Sequence, residues 1–320
     1  MDEWSALGIP FLFIIDFEKQ KPIIRKLSDL DRVNADIWYS FPNRNNDSFW
    51  TERKVEDKSF SLHRKPYSQS HYLRKFQQAQ ELFKRYGVQV INLTMPTPVS
   101  LETSLAAIYQ VANAKYKIYY ENHFVCCTPE IFVRINEQGT ISSFPMKGTI
   151  DANLPQAEQL ILNNPKELRE HTATVNQLKL DLAEVATAIS VPRFRYVDKL
   201  HTSDKDLLQV SSEVQGKLQE RFKSAYGQLF NRLLPAGSIV GSPRLEALKV
   251  IDEVEGYTRG YYTGVCGVFD GKTLDSCVLI RIIEKEEGNY YYKSGGGITS
   301  ESNAESEYEE LIDKIYVPLD

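Results

Sequence analysis

The 320-residue chain contains no apolar run approaching the roughly 20 residues that a membrane-spanning helix needs. Its opening, MDEWSALG, lacks the basic start and long apolar core of a secretory leader. Cysteine is scarce. Cys126, Cys127, Cys266 and Cys277 form no CxxC pair, and three of them sit in β-like apolar runs, where a thiol acts as a small hydrophobe. Together these absences point to the cytoplasm, with reduced thiols. No basic run stands out against the net charge of −5, which argues against a nucleic-acid partner. There is also no Pro/Gly/Ser-rich linker, low-complexity tract or repeat period, so one large continuous domain is expected. A composition 42% hydrophobic and 25% charged is ordinary for a globular enzyme or binding protein.

The richest stretch runs from Ser294 to Lys314, where Gly295, Gly296 and Gly297 precede a Ser-rich turn and an acidic segment. A glycine run marks backbone that must approach something closely. Ser302 with Glu305 has the spacing of a capping box, predicting a helix from about Asn303. On that helix Ala304, Tyr308, Leu311, Ile312 and Ile315 share one side, and Glu307, Glu310 and Lys314 line its edge. Like charges one turn apart cost only roughly 0.2–0.5 kcal/mol, so a solvated acidic face explains this helix alone equally well.

A second acidic pair changes the balance. Helices are predicted over 155–163 and 165–189, the second with Asn164 as N-cap, Pro165 at its first position and Glu167 at its third. Glu167 falls within the apolar face made by Leu168, Val175, Leu178, Leu182, Val185 and Ile189, with Glu170 beside it. A carboxylate near a buried face is costly unless paired or bound to a cation.

Elsewhere, strands are expected at 11–17 and 22–27, no clear pattern over 40–66, and a helix over 67–86 ending at Gly87. VQVINLTMPTP reads as a strand closed by its two prolines, followed by a helix from Ser100 to Gln110. Three or four strands fill 115–150, with Glu130 in the turn Thr128-Pro129-Glu130 and Lys147 beside Gly148 at the end of an apolar run. Residues 192–218 mix strand and turn signals, and a helix spans 219–234. Ser242 and Pro243 are expected to open a further helix, and strands to follow at 261–269 and 277–285. Arg281 interrupts the run SCVLIRII, where an arginine normally has a carboxylate partner.

Ten ordered motifs carry a resemblance: NLT, CTPEIF, PMKGT, KELREH, PAGSIVGSPR, IDEVE, RGYYTG, IR, GGGI and the ExEYEELIDK helix. From about Asn92 onward the chain resembles the chorismate-utilising enzymes, and within them the component I subunits of aminodeoxychorismate (para-aminobenzoate) synthases. The resemblance implies an α+β fold, a large antiparallel β-sandwich flanked by helices. It makes residues 1–320 one chorismate-binding catalytic domain with a divergent portion over about 1–90. It implies that Glu167 with Glu170, and Glu307 with Glu310, converge on Mg²⁺, a hard cation suited to oxygen ligands. One chorismate carboxylate would meet that ion, the other Arg281, Tyr262 and the amides of Gly295–Gly297. Thr149 would line the pocket and Lys314 would balance the acids.

Lys147 carries the finer assignment, because PxKGT marks aminodeoxychorismate synthases and anthranilate synthases usually have Ala there. The resemblance makes Lys147 a nucleophile toward the ring and Glu130 the acid for the departing hydroxyl. Such a lysine must be neutral, which partial burial in a filled cleft would favour. It implies an amidotransferase (glutaminase) partner for ammonia and a separate lyase downstream, within folate biosynthesis. Departures fall at Val90, at Gln209 where the family has His, and at Asn176, Lys179 and Leu180, with Asp181 kept from DLxRND. Anthranilate, isochorismate or salicylate formation is the alternative chemistry. A non-catalytic glutaminase-binding subunit or a plain metal-binding protein is the alternative class.

Overall fold

A computed structural model describes residues 1–52, 62–201 and 206–319. Two nine-stranded antiparallel sheets form its frame. The first runs, neighbour to neighbour, through Met146–Asp151, Asp206–Leu218, Thr140–Ser143, Ile131–Ile135, Leu274–Val278, Val265–Phe269, Phe11–Ile15 and Ile23–Lys26. Ala186–His201 pairs with Asp206–Leu218 off that path. The second runs through Gly241–Ser242, Val90–Leu101, Asn289–Thr299, Ile282–Glu286, Phe124–Thr128, Tyr116–Tyr120, Ile37–Phe41 and Arg44–Asn45, with Leu62–Arg64 on Val90–Leu101. This is the sandwich the resemblance implied.

Strands such as Phe11–Ile15, Phe124–Thr128 and Val265–Phe269 are buried at every residue, which is why they read as continuous apolar runs rather than alternating ones. Two apolar clusters follow. One packs the helices Gln69–Tyr86, Pro165–Ala183, Tyr226–Leu233 and Arg244–Glu255 on strand faces through residues such as Phe76, Val175, Phe230 and Val250. The other holds the aromatic side chains Trp38, Trp50, Tyr109 and Tyr116. All four thiols are buried.

Several local expectations shift. Pro96 and Pro98 do not close their strand, which continues to Leu101. The Pro98 carbonyl accepts from Lys65 N at 2.9 Å, so both proline nitrogens face the edge away from the Asn289–Thr299 partner and cost that ladder nothing. The next helix begins at Leu105, capped by Ser104, whose hydroxyl accepts from Ala107 N, so Ser100 remains strand. The long helix stops at Ala183, because Val185 and Ile189 belong to the turn and strand that follow. Only the short helix Tyr226–Leu233 and a 3₁₀ turn occupy 219–234. Ser242 does not cap the Arg244–Glu255 helix; its hydroxyl lies 3.1 Å from Gln177 Oε1. The unpatterned 40–66 stretch contains Ile37–Phe41's end, a 3₁₀ turn and Leu62–Arg64, while 53–61 lies outside the described residues.

Candidate active site

The Asn289–Thr299 strand pairs residue for residue with Val90–Leu101, setting Gly295, Gly296 and Gly297 against Thr94, Leu93 and Asn92. A Cβ on Gly295 would meet Thr94 Cγ2 at 2.6 Å and Leu93 O at 2.7 Å. A Cβ on Gly296 would meet Glu307 Oε2 at 3.2 Å and Lys314 Nζ at 3.9 Å. Gly296 thus lets the Ala304–Asp313 helix lie close on the strand, while Gly295 accommodates the neighbouring strand at Leu93 and Thr94. Asn303 caps that helix, accepting from Ser306 N at 2.9 Å, while Ser302 accepts instead from Thr299 N at 3.1 Å. The capping-box reading therefore had the right start and the wrong cap.

Along this helix Lys314 Nζ lies 2.6 Å from Glu310 Oε1 and donates to Gly295 O at 2.9 Å. Burial alone would raise the Glu310 carboxyl, but the Lys314 ammonium outweighs it and holds the group below the usual carboxylate range. Glu307 goes the other way. Burial pushes it up against a hydrogen bond from Ser302, and Glu310 adds to the rise.

The second pair opens the Pro165–Ala183 helix, where Asn164 Oδ1 accepts from Lys166 N and Glu167 N at 2.9 and 3.2 Å. Half-buried Glu167 turns toward the Met146–Asp151 strand, since a Cβ on Gly148 would sit 2.9 Å from its Oε2. Glu170 is exposed and lies 3.8 Å from Lys166. Lys166 also bears electrostatically on both Glu307 and Glu310, so the two helix ends face a shared region. Among the described residues, no three acidic, His or Cys side chains are grouped closely enough to hold a metal ion. The donors that are present, oxygen-only and partly balanced by lysines, fit a hard divalent cation better than a soft one. Lys166 was missed in the sequence, although its spacing to Glu170 is a signal that could have found it.

Lys147 sits where the strand ladder slips. Met146 pairs with Ser211 and Thr149 with Gln209, with an irregularity between them, and Gly148 there has φ +90°. A bulge of this kind re-aims a side chain. Lys147 and Thr149 are both exposed, so Lys147 is not partly enclosed as the sequence suggested. Its charge nevertheless acts on Glu130, Glu310 and His171. Burial pushes the Glu130 carboxyl up, and Lys147, Arg281 and Lys314 pull against it in that order.

The bulged strand is anchored by groups that the sequence did not single out. Ser212 N donates to Pro145 O at 3.0 Å, and its hydroxyl accepts from Arg195 N at 2.8 Å and lies 2.7 Å from Nε2 of buried His171. His171 directly follows Glu170, so this junction ties the Lys147 strand to the helix bearing Glu167 and Glu170.

Arg281 is not within a strand. It has φ +54°, between Leu274–Val278 of one sheet and Ile282–Glu286 of the other, where the chain crosses between them. Its guanidinium donates to Lys314 O at 3.3 Å and lies 4.8 Å from the Tyr316 ring centre, while its Nε, buried, has no partner. Strained non-glycine backbone of this kind clusters at ligand sites. Tyr262 is 3% exposed, and its backbone N donates to Glu284 Oε1 at 3.1 Å. Arg281, Lys314 and Glu310 are therefore neighbours, and the charge of Lys147 reaches both Glu130 and Glu310.

The profile of the chorismate binding enzyme family matches residues 17–320. The chain belongs to the chorismate-binding enzymes. A Haemophilus influenzae protein named "Uncharacterized PabA-like protein" is 42% identical over 311 residues, covering 97% of this chain and 93% of that one. Aminodeoxychorismate synthase component 1 of Salmonella typhimurium is 28% identical over 260 residues, covering 76% of this chain but only 56% of the relative. Anthranilate synthase components match at similar identity. MenF, the menaquinone-specific isochorismate synthase of Escherichia coli, shares the fold with a TM-score of 0.74 at 15% identity, over 98% of this chain and 78% of that one. Among the described residues no helix is long and apolar enough to cross a membrane.

Proposed function

We propose that this chorismate-binding chain acts as one catalytic domain that converts chorismate and ammonia to 4-amino-4-deoxychorismate. The observation that carries the reading is that Lys147, re-aimed by a strand irregularity, acts by its charge on Glu130, a carboxyl that burial pushes above its ordinary range. The Lys147 amine attacks ring carbon C2, the ring double bonds shift, and the C4–O bond breaks as Glu130 delivers a proton, so water leaves. Ammonia then bonds to C4, the double bonds shift back, the C2–N bond breaks to return the lysine amine, and the proton shed by the added nitrogen restores the Glu130 carboxyl. Arg281, with a free buried Nε, holds a substrate carboxylate alongside Tyr262 and the amides of Gly295, Gly296 and Gly297. Thr149 lines the ring, and Lys314 offsets Glu310.

Although no three of them are grouped closely enough to hold the ion as they stand, Glu167, Glu170, Glu307 and Glu310 would be the residues to hold Mg²⁺, which supplies positive charge against the second substrate carboxylate when bound. Ammonia comes from a glutaminase partner or from solution, and a separate lyase takes the product on to para-aminobenzoate. The test is mass identification of the product from purified chain, chorismate, Mg²⁺ and ammonium. Expected is 4-amino-4-deoxychorismate; anthranilate, isochorismate or salicylate instead, or unchanged chorismate, overturns the reading.

A further inference from the structure

Tyr72 lies in the first turns of the Gln69–Tyr86 helix, which Ser68 caps. Its side chain is wholly buried, and its hydroxyl has no hydrogen-bond partner among the described residues. A buried hydroxyl without a partner forfeits the bonds it made to water, so such groups call for an explanation. Its position supplies one. The Tyr72 ring packs on Tyr308 with centres 5.6 Å apart, and Tyr308 directly follows Glu307. Tyr308 in turn donates its own hydroxyl to Tyr67 O at 2.7 Å, so the two helices are docked at this point. Burial first, and then the charges of Glu307 and Glu310, keep the Tyr72 hydroxyl protonated, a donor at any working pH.

We propose that Tyr72 is a positioning residue for the Glu307–Glu310 pair: its hydroxyl donates to an oxygen at that pair, a carboxylate or a coordinated water, once a divalent cation is held there. The inference rests on the cation reading above. Donors that orient ligand oxygens from behind typically set metal affinity about 10–100-fold. A phenol that is unpaired without the cation and paired with it would favour the bound form on both counts.

The test is Tyr72→Phe, which keeps the ring and its packing. MgCl₂ is titrated calorimetrically into the metal-stripped full chain, with and without chorismate, and the metal-free melting temperature is measured. The variant is expected to bind Mg²⁺ about 10-fold more weakly. Its metal-free form should melt no lower than the wild type, because an unpaired buried hydroxyl has been removed. A merely structural tyrosine would not split the two readouts in that direction. Mg²⁺ affinity within about twofold of wild type overturns the proposal, as does a metal-free melting temperature lower by more than about 3 °C. If wild type itself takes up no cation in either condition, the cation reading falls, and this proposal falls with it. Cation uptake by wild type with no change in the variant defeats this proposal alone.

Discussion

On one side of the Asn289–Thr299 strand, charged groups are buried and fully paired; on the other they are half exposed and only partly balanced. Arg259 and Glu255, 1% and 2% exposed at their side chains, meet at 2.7 Å. Glu255 also accepts from Thr94 N and Oγ1, and Arg259 donates to Asn92 O and Ile239 O. Buried Lys293 pairs with Glu284, which in turn holds the Tyr262 amide. Facing Gly296, by contrast, Glu307 is pushed up by burial and its hydrogen bonding is thin, while Glu310 relies on Lys314. The closed cluster satisfies every charge from within the chain and fixes the loop bearing Tyr262. The open cluster is balanced only in part from within the chain, chiefly through Lys314.

The contrast can be broken from either side. Arg259→Met leaves Glu255 buried without its cation, and should cost about 3–5 kcal/mol of stability by chemical denaturation. A loss under 1 kcal/mol would mean that the closed cluster is not structural. Gly148→Ala places a side chain at φ +90° and against Glu167, and is expected to cost about 1–2 kcal/mol while weakening Mg²⁺ binding. Unchanged Mg²⁺ affinity would separate Glu167 from the open cluster.

The smallest effect is a pH slope at Glu130. Its folded-state carboxyl lies above the ordinary value, so the folded chain holds that proton more tightly than the unfolded chain. Stability from this group is present at low pH and is lost as pH rises from about 4.5 through the raised value. Glu130→Gln should therefore gain relative to wild type above that range and lose the advantage below it, measured as melting temperature against pH. A parallel pair of curves would show that Glu130 carries no shifted proton.

Much of the frame was readable because the signals were local. Gly87 ends one helix and Asn164-Pro165 open another, as their spacing predicts. The misreadings fall where tertiary neighbours decide. Pro96 and Pro98 are harmless only because the partner strand lies on the other edge, and Ser242 turns to Gln177 instead of capping. The i, i+3 spacing beside apolar faces drew attention to the glutamate pairs, and in the structure Glu167 and Glu307 are half-buried while Glu170 and Glu310 are exposed. The Ser212–His171 junction and the unpaired Tyr72 hydroxyl could not be read in advance, since each depends on which element packs opposite. Arg281 stood out in the sequence for its charge, but its place at the crossing between sheets follows only from topology.

The central measurement is product formation by Lys147→Ala with chorismate, Mg²⁺ and ammonium supplied, alongside chorismate binding by the same variant. The account predicts that 4-amino-4-deoxychorismate is lost while chorismate still binds within a few-fold of wild type. Undiminished product from the variant would contradict it.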